Sequence, residues 1–92
     1  MAYSQNCSLL IKGHIEDADT HQKLSGANVV LVELNKEMVT DDQGDFIFTK
    51  LCPGNYTIMV IHVDCETYEQ KINLRKNRHL DIDLPHAKNT LS

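Results

Sequence analysis

Apolar and polar residues alternate with a period of two along nearly the whole chain. Leu9, Ile11, Gly13 and Ile15 share one face of "LLIKGHIED", and Phe46 and Phe48 share one face of "DFIFT". Tyr56, Ile58, Val60 and His62 fall in phase in "NYTIMVIHV", as do Tyr68, Gln70, Ile72 and Leu74 in "YEQKINL". "LDIDL" sets Leu80, Ile82 and Leu84 against Asp81 and Asp83. Successive strand side chains point to opposite sides, so this pattern predicts half-buried strands; no window carries a helical stripe. β-Branched residues dominate the apolar positions, as a pleated surface favours. Seven strands are predicted, over about 8–17, 27–34, 36–41, 45–49, 55–63, 66–74 and 79–84.

Turn chemistry falls between these runs. "DADTHQKLSGA" is a polar turn after the first strand, and "LNKE" turns between the second and third. "DDQGD" offers a glycine for positive φ in a hairpin, and "CPG" offers the Pro-Gly pair of a type II turn. "HVDCE" and "RKNRH" are expected to close the last two hairpins. Seven short strands at this spacing predict an all-β, seven-stranded antiparallel β-sandwich. The expected organisation is an N-terminal segment 1–7, a sandwich 8–85, and a tail 86–92 that loses all periodicity and should be extended or disordered.

Composition narrows the function classes. Ninety-two residues, 41% hydrophobic and 24% charged, fit one globular domain rather than a disordered chain. A net charge of −4, with basic residues grouped only at Arg75, Lys76 and Arg78, leaves no electrostatic footprint for nucleic acid. No apolar run approaches the roughly 20 residues of a membrane-spanning helix. The first residues lack the apolar core of a signal peptide, which fits a cytosolic chain or a mature segment behind a new initiator Met.

Candidate chemistry is sparse. Asp41, Asp42 and Asp45 sit in one turn; a calcium loop would need a longer ligand series ending in Glu, so these acids are expected to cap backbone N–H groups. His14, His21, His62, His79 and His86 lack the i, i+2 or i, i+4 spacing of a compact metal site, and His62 is expected to be semi-buried with a hydrogen-bond partner. Ser8 and Ser25 stand in no nucleophile motif. The residues therefore predict no catalytic group, no cofactor, no metal and no small-molecule substrate.

An ordered set of short motifs resembles the carboxypeptidase regulatory-like domain. It comprises Gly13, Ile15 and Asp17; Leu24, Gly26, Ala27 and Val29; Thr40, Asp41, Gly44 and Phe46; Leu51, Pro53, Gly54, Tyr56 and Ile58; then Cys65 and Glu66, spread over about 9–84. The resemblance implies a transthyretin-like (prealbumin-like) sandwich. "QNCSLLIKGHI", "LSGANVVLVELNK", "LCPGNYTI" and "HVDCETYE" are similar, more narrowly, to the N-terminal extension of TonB-dependent outer-membrane receptors of Bacteroidetes-type bacteria. That likeness implies a periplasmic accessory domain ahead of a plug and a β-barrel, with "LPHAKNTLS" as the linker. The partners it implies are the plug and barrel of the same receptor, an energising complex or a surface lipoprotein, and a second copy of the chain. Asp64 and Cys65 depart from the Gly-aromatic pair usual at that corner. A carbohydrate-binding or adhesin-like module is the alternative, weakened by the lack of Trp and by only three Tyr.

Two features remain. With consecutive strands running in opposite directions, Cys7 and Cys52 fall at one end of the sandwich and Cys65 at the other, a strand length away. An oxidising periplasm would let Cys7 and Cys52 pair, with three reduced thiols as the alternative. The second and fifth strands are apolar on both faces. Val30, Val32 and Leu34, with Met59, Ile61 and Val63, would form an outward patch if those strands are neighbours. Such a patch is expected to dock a partner domain or a second copy, unless loops such as 17–26 cover it.

Overall fold

A computed structural model describes residues 7–63 and 65–85. The expectations for segment 1–6, for Asp64 and for the tail from His86 onward lie outside them. Seven strands form two sheets. β1 (Leu9–Asp17), β4 (Asp45–Leu51) and β7 (Arg78–Leu84) make a three-stranded sheet in the order β4-β1-β7. β2 (Asn28–Leu31), β3 (Lys36–Val39), β5 (Gly54–Ile61) and β6 (Tyr68–Leu74) make a four-stranded sheet in the order β3-β2-β5-β6.

The alternation does what the physics of a pleat requires. Ile11 and Ile15, Phe46 and Phe48, and Leu80, Ile82 and Leu84 turn inward from one sheet. Val29 and Leu31, Tyr56, Ile58 and Val60, and Ile72 and Leu74 meet them from the other. Burying side chains of this size contributes about 2 kcal/mol each, so the interleaved faces hold the sheets together. β3 contributes nothing to this interior, since all four of its residues are exposed.

The antiparallel expectation needs one correction. β1 and β7 pair in parallel, from Ile11 opposite Arg78 to Asp17 opposite Leu84, so the three-stranded sheet is mixed. The chain reverses at every connection, which leaves the first and seventh strands pointing the same way. Lying side by side, they can only pair in parallel. The other ladders are antiparallel.

The turns also differ from expectation. "DDQGD", "CPG" and "RKNRH" are not hairpins; each carries the chain from one sheet to the other. Among the described residues, only β2–β3 and β5–β6 are consecutive strands paired within a sheet. Gly44 does take the positive φ expected of it, at 77°. Gly54 does not have the positive φ of a type II turn; that conformation belongs to Lys50, at 58°. Lys50 sits where β4 carries one residue more than β1, between the pairs Leu9–Leu51 and Ile11–Phe48, and the extra residue makes a bulge. The second strand is shorter than predicted because Val32–Leu34 form a single 3₁₀ turn, ended by Asn35 in the left-handed conformation.

Candidate interaction surface

Most residues of the sequence motif are engaged in holding the scaffold. A Cβ on Gly13 would lie 2.9 Å from the Leu80 carbonyl oxygen and would run into the Phe46 ring, so the ring packs against bare backbone. The Asp17 carboxylate is buried and accepts hydrogen bonds from the backbone N–H groups of Asp19 (2.7 Å) and Thr20 (3.0 Å). Thr40, also buried, accepts from Ala27 N–H and donates to the Leu24 carbonyl. Asp41 accepts from the N–H groups of Asp45 and Gln43, both at 2.9 Å, and these bonds, that from Asp45 first, hold its carboxyl below the usual range. Asp41 thus caps the turn as expected, whereas the Asp45 carboxylate, expected to do the same, meets His14 instead. The Tyr56 hydroxyl donates to the Cys52 carbonyl at 2.7 Å.

Cys7 and Cys52 are joined as a disulfide, with Cα atoms 4.2 Å apart, where the start of β1 meets the end of β4. Cys65 stands outside this bridge and is buried in the core. His62 is half-buried just beyond β5, His14 is half-buried in β1, and His21 and His79 are exposed. Among the described residues no group of His, Cys, Asp or Glu is arranged to hold a metal ion.

Two carboxylate arrangements were not visible in the local sequence. On the outer face of the three-stranded sheet, His14 Nδ1 lies 2.8 Å from Asp45 and Nε2 lies 2.8 Å from Glu16. Both ring nitrogens face carboxylates, so the imidazolium is favoured and the pKa is raised, first through Asp45 and then through Glu16. The i, i+2 spacing of His14 and Glu16 was legible; the cross-strand partner Asp45 was not. On the four-stranded sheet, the Glu33 carboxylate accepts from Thr57 N–H at 2.6 Å and from Thr57 Oγ1 at 2.8 Å. The backbone bond is the main reason that its pKa is lowered. Glu33 thus supplies by side chain what the β2 backbone would have supplied had it continued as a strand.

The two outer faces contrast in chemistry. β1, β4 and β7 present Lys12, His14, Glu16, Asp45, Asp81 and Asp83. The four-stranded sheet presents Val30 directly opposite Met59, with Ile61 one position along opposite Asn28. β2 and β5 are neighbours, which was the condition for an apolar patch there. Of the residues expected in it, Val30 and Met59 are half-buried and Ile61 is exposed. Val32 and Leu34 are exposed in the 3₁₀ turn, and Val63 is exposed beyond the strand. Val39 of β3, 58% exposed opposite Asn28, extends the patch and was missed because β3 is short and bears no buried face.

Open concavities lie between elements, and those around the described residues include three of note. One of about 500 Å³ is lined by Glu33, Asn55, Thr57, Lys71 and Asn73 with Tyr56 and Ile72, at one end of the four-stranded sheet. The other two adjoin along the β3 and β4 edges, share Met38 and Ile47, and measure about 450 and 390 Å³.

Comparison with known proteins places the chain. Comparison with curated protein sequences found no match. A chain of a type II cohesin–X-dockerin complex from Acetivibrio cellulolyticus superposes with a TM-score of 0.69 at 22% identity, covering 80% of this chain and 52% of that one. A DUF3823 family protein from Bacteroides uniformis gives a TM-score of 0.67 at 17% identity, over 84% of this chain and 43% of its own. A putative carbohydrate binding protein from Bacteroides uniformis gives 0.59 at 14% identity, over 83% and 40%. The chain spans about half the length of these structures or less, and at such identities they show the fold alone. A family model matches residues 11–92, and the chain belongs to that family, the CarboxypepD_reg-like domains.

Proposed function

We propose that this chain is a non-enzymatic interaction domain of a larger protein: the periplasmic accessory domain of a TonB-dependent outer-membrane receptor, docking against that receptor's plug. The observation that carries the docking is the outer face of the four-stranded sheet. Val30 faces Met59 there, between Glu37 and Glu69, and in the next row Val39 and Ile61 flank Asn28, on the face a two-layer sandwich has no need to make apolar. Family membership and the coverage of only about half of longer neighbours support a module that works within a longer chain. The Cys7–Cys52 bridge suits an oxidising compartment such as the periplasm. An energising complex or a surface lipoprotein is the further partner this setting offers. The test is an NMR titration of the labelled domain with the purified plug of its own parent chain. Shifts centred on Val30, Met59 and Ile61, reduced by Met59→Lys, are expected. Shifts elsewhere, or none, would defeat the reading.

A carbohydrate-binding module is the second reading, favoured by the polar concavity. Asn55 lies opposite Asn73 and Thr57 opposite Lys71 there, with the Glu33 carboxylate beside them, giving several donors and acceptors. Against it, Tyr56 turns into the core, and no Trp exists to stack on a sugar ring. A glycan array distinguishes the two readings: glycan binding lost on Asn55→Ala would favour the second.

A further inference from the structure

The four sheet edges are not equally defended. β6 carries Glu69 and Lys71, β7 carries Arg78, His79, Asp81 and Asp83, and β3 carries Lys36 and Glu37. Such charges discourage another strand from adding to an open edge. β4 has none between Asp45 and Lys50; its centre reads Phe46-Ile47-Phe48-Thr49, and Ile47 is 40% exposed. Beyond that edge lie the two adjoining concavities; from β3, Met38 and Val39 wall the one beside residues 45–47, and Lys36, Glu37 and Met38 wall the one beside residues 47–49.

The backbone of this edge is half satisfied. Gly44 accepts from Ile15 N–H, so even-numbered residues here face β1 and odd-numbered ones face outward. At Asp45 both outward groups are taken by the preceding turn: its N–H bonds the Asp41 carboxylate and its C=O accepts from Asp41 N–H. At the other end the Lys50 bulge closes the regular ladder. The alternation leaves Ile47 and Thr49 as the residues whose outward N–H and C=O groups face the groove.

We propose that this edge pairs with β4 of a second copy of the chain, antiparallel about a two-fold axis at Phe48. One register uses every outward group: Ile47 of each copy faces Thr49 of the other, and each pair exchanges two hydrogen bonds. The charge order along the strand fits the same arrangement. Asp45 stands at one end, Lys50 at the other, and no charge lies between. Reversing one copy brings each Asp45 to within one position of the other's Lys50, whereas a parallel pairing would set like charges together. β3 then covers the added strand, and the two three-stranded sheets fuse into one of six strands. The contact is small, so the dimer is weak and forms at high concentration.

Sedimentation equilibrium up to about 1 mM protein reads the association directly. A reversible dimer is expected, weakened at least about tenfold by Ile47→Lys, which sets two like charges against the pairing. Thr49→Pro removes one outward N–H that the monomer does not use, and is expected to act in the same direction. Circular dichroism confirms that each variant is folded before it is scored. A wild-type chain that stays monomeric throughout this range overturns the proposal. So does a dimer insensitive to both substitutions, or one dissolved by Met59→Lys on the apolar face instead. Because the plug titration reads that apolar face, the two ideas can fail separately.

Discussion

The two sheets share one interior and present opposite exteriors. The three-stranded sheet shows the solvent a bonded set of charges, with His14 held between Glu16 and Asp45 and acids continuing along β7. The four-stranded sheet shows it Val30, Met59 and Ile61, with Glu37 and Glu69 at the borders of the row. Inner positions are interchangeable in kind because they answer to one demand, the exclusion of water. Outer positions answer to separate demands, and in this chain the two faces diverge.

That contrast can be broken at several levels. The largest effect is expected at the disulfide, which belongs to the three-stranded side alone. Its cysteines are 45 residues apart, so Cys52→Ser should cost up to about 4 kcal/mol by chain entropy, read by urea denaturation. Next come Ile15→Ala and Ile58→Ala, one from each sheet and both fully buried, at about 3 kcal/mol apiece. Markedly unequal losses would show that the interior is not shared as described. Gly13→Ala should cost about 2 kcal/mol through the collision with Phe46 and Leu80, and a neutral result would mean that the three-stranded sheet yields more readily than its packing suggests.

The pH response should separate the faces with a smaller effect. The His14 pKa is raised above 6.5, so its contribution is complete below that pH and fades as pH rises through the raised value. The Glu33 pKa is lowered from 4.5, so its contribution is present above that pH and fades as pH falls through the lowered value. His14→Gln should flatten only the upper limb of a stability–pH curve, and Glu33→Gln only the lower. The smallest effect on stability is expected for Met59→Lys, within about 0.5 kcal/mol, because that half-buried side chain faces outward. A large loss there would mean that the apolar face supports the fold rather than a partner.

Much of this was legible from local pattern. The Leu80, Ile82 and Leu84 set is buried and Asp81 and Asp83 are exposed, as strict alternation dictates. What escaped depends on residues far apart in sequence. Val32–Leu34 continue an apolar run and read as strand, yet the Glu33 carboxylate takes over the Thr57 amide and the backbone is free to turn. Hairpins were expected at "DDQGD" and "CPG" because turn chemistry reports a reversal but not the sheet to which the next strand goes. The pairing of β1 with β7 has no local signature at all. Nor does the gathering of Asp45 with His14, which register alone creates.

The parallel β1–β7 pair has a mechanical consequence. The first strand begins at one pole of the domain and the last ends at the opposite pole, so tension through flanking chain would run along these two neighbours. Pulled that way, the ladder from Ile11–Arg78 to Asp17–Leu84 is loaded in shear, all rungs at once, rather than unzipped one by one. A domain loaded in this manner is expected to resist unravelling more than one opened rung by rung.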